Sequence, residues 1–386
     1  MKKQLLFIID SLDCGGAEKS LVSLLSLINY DKYEVDLILF GAGGVLEKQV
    51  PEEVTIIDYK HKILFPKTLI SQLKKLYCHI LLSPQLRLNK KRHGSEIHWR
   101  TIKHVYPNCT RYYDAAIAYQ QGVPSFFLVD KVKARKKIAW INANIFADKY
   151  DMTYCEPYYQ KIDDIIAVSD KLSDIISTNL PSVKEKVSII YDCINPDQIK
   201  CLADEPTDDI KNNAGVSIVT VGRLSGPKNH FLAVDAAKAL KEKGLVFRWY
   251  FVGEGELHDA IEEKINNYHL NNEVIMLGLK ENPYPYIKNA DIYVQTSSYE
   301  GFCITLAEAR ILLKPIVSTN FDVVYDQIVD YQNGLIADMN PESVASKVLE
   351  LINNQSLRQQ IIENLKKEKN TTSKTEIEKF YQLIES

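Results

Sequence analysis

The sequence predicts an α/β protein built from two doubly wound, Rossmann-like domains in tandem, with an interdomain cleft. Three observations carry this. A chain of 386 residues is too long for one ordinary core. Short runs rich in β-branched and aromatic residues alternate with stretches of helical spacing, the rhythm of parallel β-α-β units. A polar stretch over 196–215 interrupts that rhythm once, with Pro196, Pro206, Asp204, Glu205, Asp208 and Asp209, and reads as a linker. The predicted domains are therefore 1–195 and 216–370.

The first domain opens with an apolar strand at 5–9, a turn at 10–18 and an amphipathic helix at 19–28. Gly15 and Gly16 in that turn permit close backbone approach to an anionic group. They do not form a G-x-G-x-x-G, so a dinucleotide fingerprint is absent. Further strands are expected at 35–40, 54–58, 114–119, 137–141, 165–169 and 187–190, with a helix starting near Asp170. In the second domain, strands are expected at 217–221, 247–252, 274–277, 290–296, 316–318 and 335–337. Helices fall between them, at 231–241 and to about 265 among others, and after Pro341 to the end.

With 46% apolar and 25% charged residues the composition is that of a soluble globular protein. No apolar run is long enough to span a bilayer. The apolar run near the start ends in Asp10 without a small-residue cleavage site, so it reads as a buried strand and not a signal peptide. Seven cysteines without a C-x-x-C pair or metal spacing suit reduced thiols and a cytoplasmic location. Charge is uneven. Residues 60–105 hold eleven Lys or Arg and one acid, Glu96, a net +10 in a chain of net −3. Leu64, Phe65, Leu69, Ile70, Leu73, Leu76, Tyr77 and Ile80 to Leu82 are interleaved there. Two readings fit: a surface that meets anionic lipid or another polyanion, or a solvated helix whose apolar side is core.

The chemistry gathers at 297–310, S-S-Y-E-G-F-C-I-T-L-A-E-A-R, a strand-to-helix turn. Gly301 lets the backbone approach a ligand, and the free amides of the new helix suit a phosphate. Glu300 and Glu308 could each accept hydrogen bonds from neighbouring hydroxyls, or both could be solvated surface carboxylates. A second turn, V-G-R-L-S-G-P-K-N-H at 221–230, leaves a strand of the same sheet with Arg223 and Lys228. Two cations five residues apart suit a diphosphate, Arg as a planar fork and Lys as a point charge.

With both turns in view, the chain resembles the glycosyltransferases of the GT-B fold, in the large retaining family called group 1. Five stretches carry the resemblance: G-G-A-E at 15–18, V-G-R-L…K at 221–228, F-V-G-E-G-E-L at 251–257, Y-E-G-F…L-A-E-A at 299–309 and N-G-L at 333–335. The resemblance implies that Gly15 and Gly16 approach the donor diphosphate from the first domain, and that Arg223 and Lys228 bind it in the second. Glu300 would contact the donor sugar, the Gly301 and Phe302 amides would lie near the phosphate, and Glu308 would hold the ribose hydroxyls. No metal or other cofactor is implied. Cys303 stands where the family often has Gly, a change expected to be without consequence. The helix at about 371–386 is expected to pack back on the first domain.

In the first half, 137–144 resembles a family pattern ending in W-I-H, but Asn142 stands in place of the His, on the acceptor side. Asn can donate and accept hydrogen bonds and cannot titrate. The resemblance implies transfer with retention from a nucleotide-diphosphate sugar, a UDP-sugar by preference, to a hydroxyl on a bacterial cell-surface polysaccharide or glycolipid precursor. Partners would be the donor, a glycan or lipid-linked acceptor and an anionic inner membrane face, with no nucleic acid. Two rivals are a sugar-nucleotide epimerase and a non-catalytic sugar-nucleotide-binding partner subunit. Asn142 favours the latter; the Arg223, Lys228, Glu300 and Glu308 set weighs against it.

Overall fold

The computed structural model describes residues 2–13, 15–41, 43–89, 91–146, 149–207, 210, 215–368 and 372–386. Lys90 of the basic segment and Asp208 and Asp209 of the acidic stretch lie outside the described residues. The chain divides into two compact units, one of residues 1–193 with 372–386 and one of 194–371.

The first unit is a parallel seven-stranded sheet of order β3-β2-β1-β4-β5-β6-β7. Its elements are β1 (Lys3–Ser11), α1 (Gly16–Leu27), β2 (Tyr33–Gly41), β3 (Val54–Asp58), α2 (Leu69–Leu88), α3 (Gly94–Ile102) and β4 (Tyr112–Ala118). Then come α4 (Val123–Lys131), β5 (Lys133–Ile141), α5 (Met152–Tyr159), β6 (Asp164–Ala167), α6 (Asp170–Asn179) and β7 (Val187–Ile189). β1 is central and covered on both faces, so Leu5 to Ile9 read as a continuous buried run without alternation. It pairs on one side with β2, Leu5 opposite Val35, and on the other with β4, Leu5 opposite Ala115. The C-terminal helix Thr372–Glu385 closes this unit. Phe380 stacks on Phe7 at 5.9 Å and Tyr381 on Tyr33 at 5.4 Å. Lys136 and Arg135 donate from β5 to the last carbonyls of that helix, Leu383 and Ile384, where cations suit the negative end of the helix dipole.

The second unit is a parallel six-stranded sheet of order β10-β9-β8-β11-β12-β13. It opens with α7 (Pro196–Ala203), followed by β8 (Val216–Val221), α8 (His230–Glu242), β9 (Phe247–Val252), α9 (His258–Asn267) and β10 (Val274–Gly278). The remainder is α10 (Tyr284–Asn289), β11 (Ile292–Gln295), α11 (Ile304–Ile311), β12 (Ile316–Thr319), β13 (Leu335–Ala337), α12 (Pro341–Asn353) and α13 (Gln355–Lys367). Each face of the sheet has its own core. One is filled by residues of α8, α9, α12 and α13, the other by residues of α7, α10 and α11. The expected linker is corrected here: 196–203 is helical. Asn195 caps α7 by accepting from the Asp197 and Gln198 amides, Pro196 sits at its first position, and Ile199 and Ala203 are buried in the second core.

Two glycines draw the turns of this sheet together. The G-E-G turn after β9 lies against the turn after β8, with the Leu224 amide donating to the Glu254 carbonyl at 3.0 Å. Gly253 has φ +151°, and a Cβ there would fall 2.0 Å from the Gly222 carbonyl oxygen. A Cβ on Gly255 would fall 2.3 Å from the Leu224 carbonyl oxygen. Gly253→Ala is therefore expected to destabilise the protein by about 2–4 kcal/mol, from the unfavourable φ and the backbone clash together. Denaturant unfolding checks this, and an unchanged midpoint would remove the close approach as a constraint.

Candidate functional site

In the second sheet the strand order turns back between β8 and β11, with β9 on one side of β8 and β12 on the far side of β11. Ligands of open α/β sheets bind outside the carboxyl ends of strands at such a point. The turns that leave these two strands are the two that the sequence marks.

The turn after β8 ends in Lys228, and Asn229 takes a left-handed conformation, φ +51°, that turns the chain into α8. The turn after β11 ends in Cys303, also left-handed at φ +69°, directly before α11. Glycine takes that conformation without the steric cost of a Cβ. The Gly-to-Cys change thus has a consequence after all: the chain carries a strained, buried residue at the helix start. The two turns are stitched together. The Ser298 amide donates to the Pro227 carbonyl at 2.8 Å, and the Thr296 hydroxyl to the Lys228 carbonyl at 3.2 Å.

Across this seam the Lys228 ammonium donates to Glu300 Oε1 at 2.5 Å. The side chains are 22% and 10% exposed, so the pair is largely out of water. The same carboxylate oxygen accepts from the Ser297 hydroxyl at 2.6 Å and from Gln295 Nε2 at 3.2 Å. Gln295 is itself fixed: its Oε1 accepts from the Tyr293 hydroxyl at 2.5 Å and from Thr305 at 3.3 Å. Burial works against the Lys228 charge, but the Glu300 carboxylate outweighs it, and the ammonium is held above the ordinary lysine range. Burial, with Glu300 adding to it, pushes the Cys303 thiol up to about 12, so it offers no thiolate nucleophile.

Glu308 lies on α11, 1% exposed, and accepts from the Tyr284 hydroxyl at 3.0 Å. The Phe302 and Cys303 carbonyls are held by Gln327. Gly301 lies in the turn between Glu300 and Phe302, partly buried. Arg223 stands apart. Its side chain is 72% exposed and pairs with Glu256 at 3.3 Å.

The first-unit candidates lie on other turns. Gly15 caps α1 with extended backbone and no side-chain cap, and Gly16 is the first helical residue. Asn142 follows β5. Its Nδ2 donates to the Tyr119 carbonyl at 2.8 Å, tying the ends of β4 and β5 together. Its Oδ1 is buried and has no partner among the described residues. No group of three or more His, Cys, Asp or Glu among the described residues is placed to hold a metal.

Sequence reasoning missed the polar frame of Tyr293, Gln295, Ser297, Thr305 and Tyr284. Gln295 and Tyr293 alternate on one strand and carried no signal apart from that strand's end. His230 was also missed. It is 1% exposed, burial and the nearby Lys228 push it down to about 4, and neither ring nitrogen has a partner among the described residues.

Residues 206–368 match the family described as glycosyl transferases group 1. Two curated relatives show its range. The uncharacterized glycosyltransferase MJ1059 of Methanocaldococcus jannaschii is 28% identical over 195 residues, 48% of each chain. A Campylobacter jejuni enzyme is 26% identical over 89% of this chain and 88% of its own. It is N-acetylgalactosamine-N,N'-diacetylbacillosaminyl-diphospho-undecaprenol 4-alpha-N-acetylgalactosaminyltransferase. The chain spans about half the length, or less, of the first curated relatives it matches, 48% for MJ1059. Among solved structures, Anabaena Alr3699/HepE in complex with UDP and glucose superposes with a TM-score of 0.70 at 17% identity, over 100% of both chains. At that identity the likeness speaks for the fold, which is GT-B.

The Lys228–Glu300 contact is open to a direct check. A double-mutant cycle with Lys228→Met and Glu300→Gln, read by denaturant unfolding, is expected to give a coupling of about 0.5–3 kcal/mol. Strict additivity would mean that the two groups do not pair.

Proposed function

We propose that this chain, which belongs through residues 206–368 to the glycosyl transferases group 1, moves a sugar with retention from a nucleotide-diphosphate sugar to a hydroxyl. The observation that carries the reading is the ammonium of Lys228 held on Glu300 at the switch point between β8 and β11, with buried Glu308 on the helix that follows. An ammonium has three N–H donors, and Glu300 takes one of them. The others suit a diphosphate that gains negative charge as its bond to the sugar breaks. A UDP-sugar is the favoured donor, because the Anabaena protein of the same fold was solved with UDP and glucose.

In the proposed reaction the acceptor oxygen forms a bond to the anomeric carbon on the face from which the diphosphate departs. The carbon–oxygen bond to the phosphate breaks, and the departing phosphate oxygen takes the acceptor's proton. The chain's part is positioning and charge stabilisation. Glu300 contacts the donor sugar, Glu308 the ribose hydroxyls, and the Gly301 and Phe302 amides the phosphate. Arg223, exposed and paired with Glu256, would leave that partner to reach the diphosphate. Gly15 and Gly16, as bare amides at the start of α1, are a further phosphate-facing pair under this reading. Asn142 Oδ1 is an acceptor-side candidate without a partner among the described residues. No metal is required.

The finer identity of the acceptor, a lipid-linked or cell-surface glycan, draws support from the Campylobacter relative, whose name includes diphospho-undecaprenol. It also draws support from α2. Among the described residues no helix is long and apolar enough to cross a membrane. Yet α2 leaves Leu69, Ile70, Leu73, Leu76, Tyr77 and Ile80 exposed, Ile70 by 79%. Only Ser71 and Cys78 of its twenty residues are buried, so the apolar stripe is not a core face. Lys67, Lys74, Lys75 and Arg87 accompany it, and together they suit the surface of an anionic bilayer. The protein would then sit on the inner face of the membrane.

Two measurements test these readings. With a donor identified by thermal shift across nucleotide sugars, Lys228→Ala is expected to lower kcat/KM by about 2–4 kcal/mol of transition-state stabilisation. Glu308→Gln is expected chiefly to raise the donor KM, since a ribose contact is made in ground and transition states alike. Unchanged turnover in the first, or unchanged nucleotide affinity in the second, would remove that residue from the site. For the membrane, co-sedimentation with phosphatidylserine vesicles is expected at low salt. It should weaken as salt rises and fall after Leu69→Ser with Ile70→Ser and Leu73→Ser, or after Lys67→Glu with Lys75→Glu. Absent binding at low salt, or binding indifferent to every substitution, would overturn the membrane reading.

A further inference from the structure

Gln327 and the N-G-L stretch at 333–335 both belong to the connection between β12 and β13 and the start of β13. Phe321, Val324 and Ile328 anchor this connection in the same apolar core that holds α11. Gln327 lies inside the anchored stretch and is 4% exposed. Its Nε2 donates to the Phe302 carbonyl and, at 3.3 Å, to the Cys303 carbonyl. Both neighbours are acceptors, so the amide nitrogen and not the oxygen must face them.

Those two carbonyls belong to the peptide planes on either side of Cys303. Holding both planes sets the φ and ψ of that residue. Cys303 has φ +69°, a conformation that is costly for any residue with a Cβ. Such strain persists only where its surroundings over-determine it, and Gln327 is placed to do so. A second consequence follows from the peptide unit. The bonds are trans, and a trans peptide sends its C=O and its N–H in opposite directions. With both carbonyls turned to Gln327, the Cys303 and Ile304 amides point the other way. They are the first amides of α11, which have no partner within the helix and suit an anion.

Gln327 is itself held. Asn333 Nδ2 donates to the Gln327 carbonyl at 3.0 Å and to Glu368 Oε1 at 2.6 Å. Asn333 Oδ1 accepts from the Val329 amide at 2.8 Å. Glu368 Oε2 accepts from Arg310, in the last turn of α11, at 2.7 Å. The contacts thus run from the start of α11 through Gln327, Asn333 and Glu368 back to its end.

We propose that Gln327 is a positioning residue for the donor diphosphate. It keeps Cys303 left-handed and so aims the Cys303 and Ile304 amides at the phosphate, while Asn333 and Glu368 hold Gln327 in place. The diphosphate rests on the glycosyl-transfer reading above; the hold on Cys303 does not.

A binding cycle on the full chain tests this, with UDP as the probe and calorimetry as the readout. Gln327→Met keeps the length of the side chain and removes its donor. It is expected to weaken UDP binding about tenfold. In the Cys303→Gly background the same change should weaken it only about threefold or less, because glycine takes a positive φ unaided. Hydrogen exchange over 300–306 in the ligand-free protein should be faster in Gln327→Met. An equal loss in both backgrounds is what packing alone would give, and it overturns the proposal; so does no loss in either. Glu368 is 27% exposed, so Glu368→Ala keeps the test alive if Gln327→Met does not fold. Severalfold weaker UDP binding and the same faster exchange are expected there, and no change in either overturns the proposal. A parent that binds no nucleoside diphosphate would sink the donor reading instead. Exchange then decides alone: faster in Gln327→Met upholds the hold on Cys303, and unchanged overturns it.

Discussion

The second unit depends on one buried ion pair. Lys228 and Glu300 come from turns about seventy residues apart in sequence, and each would be costly to bury alone. Their attraction offsets part of that cost, and further donors on the same carboxylate oxygen add to it. Ser297 and Gln295 donate to the same carboxylate oxygen, and Tyr293 and Thr305 hold Gln295 in place. The pair therefore fixes the mouth of the sheet as much as it presents a charge there. The ammonium stays protonated because the Glu300 carboxylate beside it outweighs the cost of burying its charge.

That arrangement is held by backbone that would rather be elsewhere. Asn229 and Cys303 both take left-handed conformations at the starts of α8 and α11, and Gly253 and Gly255 bring a third turn into backbone contact with the first. Strain of this kind persists only where the surroundings over-determine it. Here those surroundings are two apolar cores, one on each face of the sheet, which hold the strand ends. The result is a rigid scaffold with strained, polar turns held at its carboxyl edge.

The first unit solves a different problem. Its switch point, between β1 and β4, opens as a cavity lined by Asp10, His98, Tyr106 and phenyl rings, and its positive charge is displaced to the rim and to α2. The large apolar side chains of α2 face outward where a folded core would have claimed them. The opposite treatment of charge at the two switch points follows from what each can desolvate. An ammonium already paired with Glu300 tolerates burial, whereas Lys60 at the rim of its cavity is exposed and remains in water.

The sequence by itself determined the fold class and nearly every strand. The thirteen strands among the described residues fall within a few residues of the runs of β-branched and aromatic residues, because a parallel strand buried on both faces must be apolar along its length. That the two candidate turns leave strands of one sheet was also legible, since both follow strand-like runs in the second half. The short helix inside the acidic stretch was not, because its polar residues mask the two positions, Ile199 and Ala203, that pack. Only the tertiary structure decided that Lys228 pairs with Glu300 while Arg223 turns to Glu256, that Tyr284 reaches Glu308, and that the apolar residues of α2 face outward. Periodicity tells which residues share a face of an element. Which face meets water, and which distant turn a side chain can reach, depends on strand order, and strand order is set by contacts far apart in the chain.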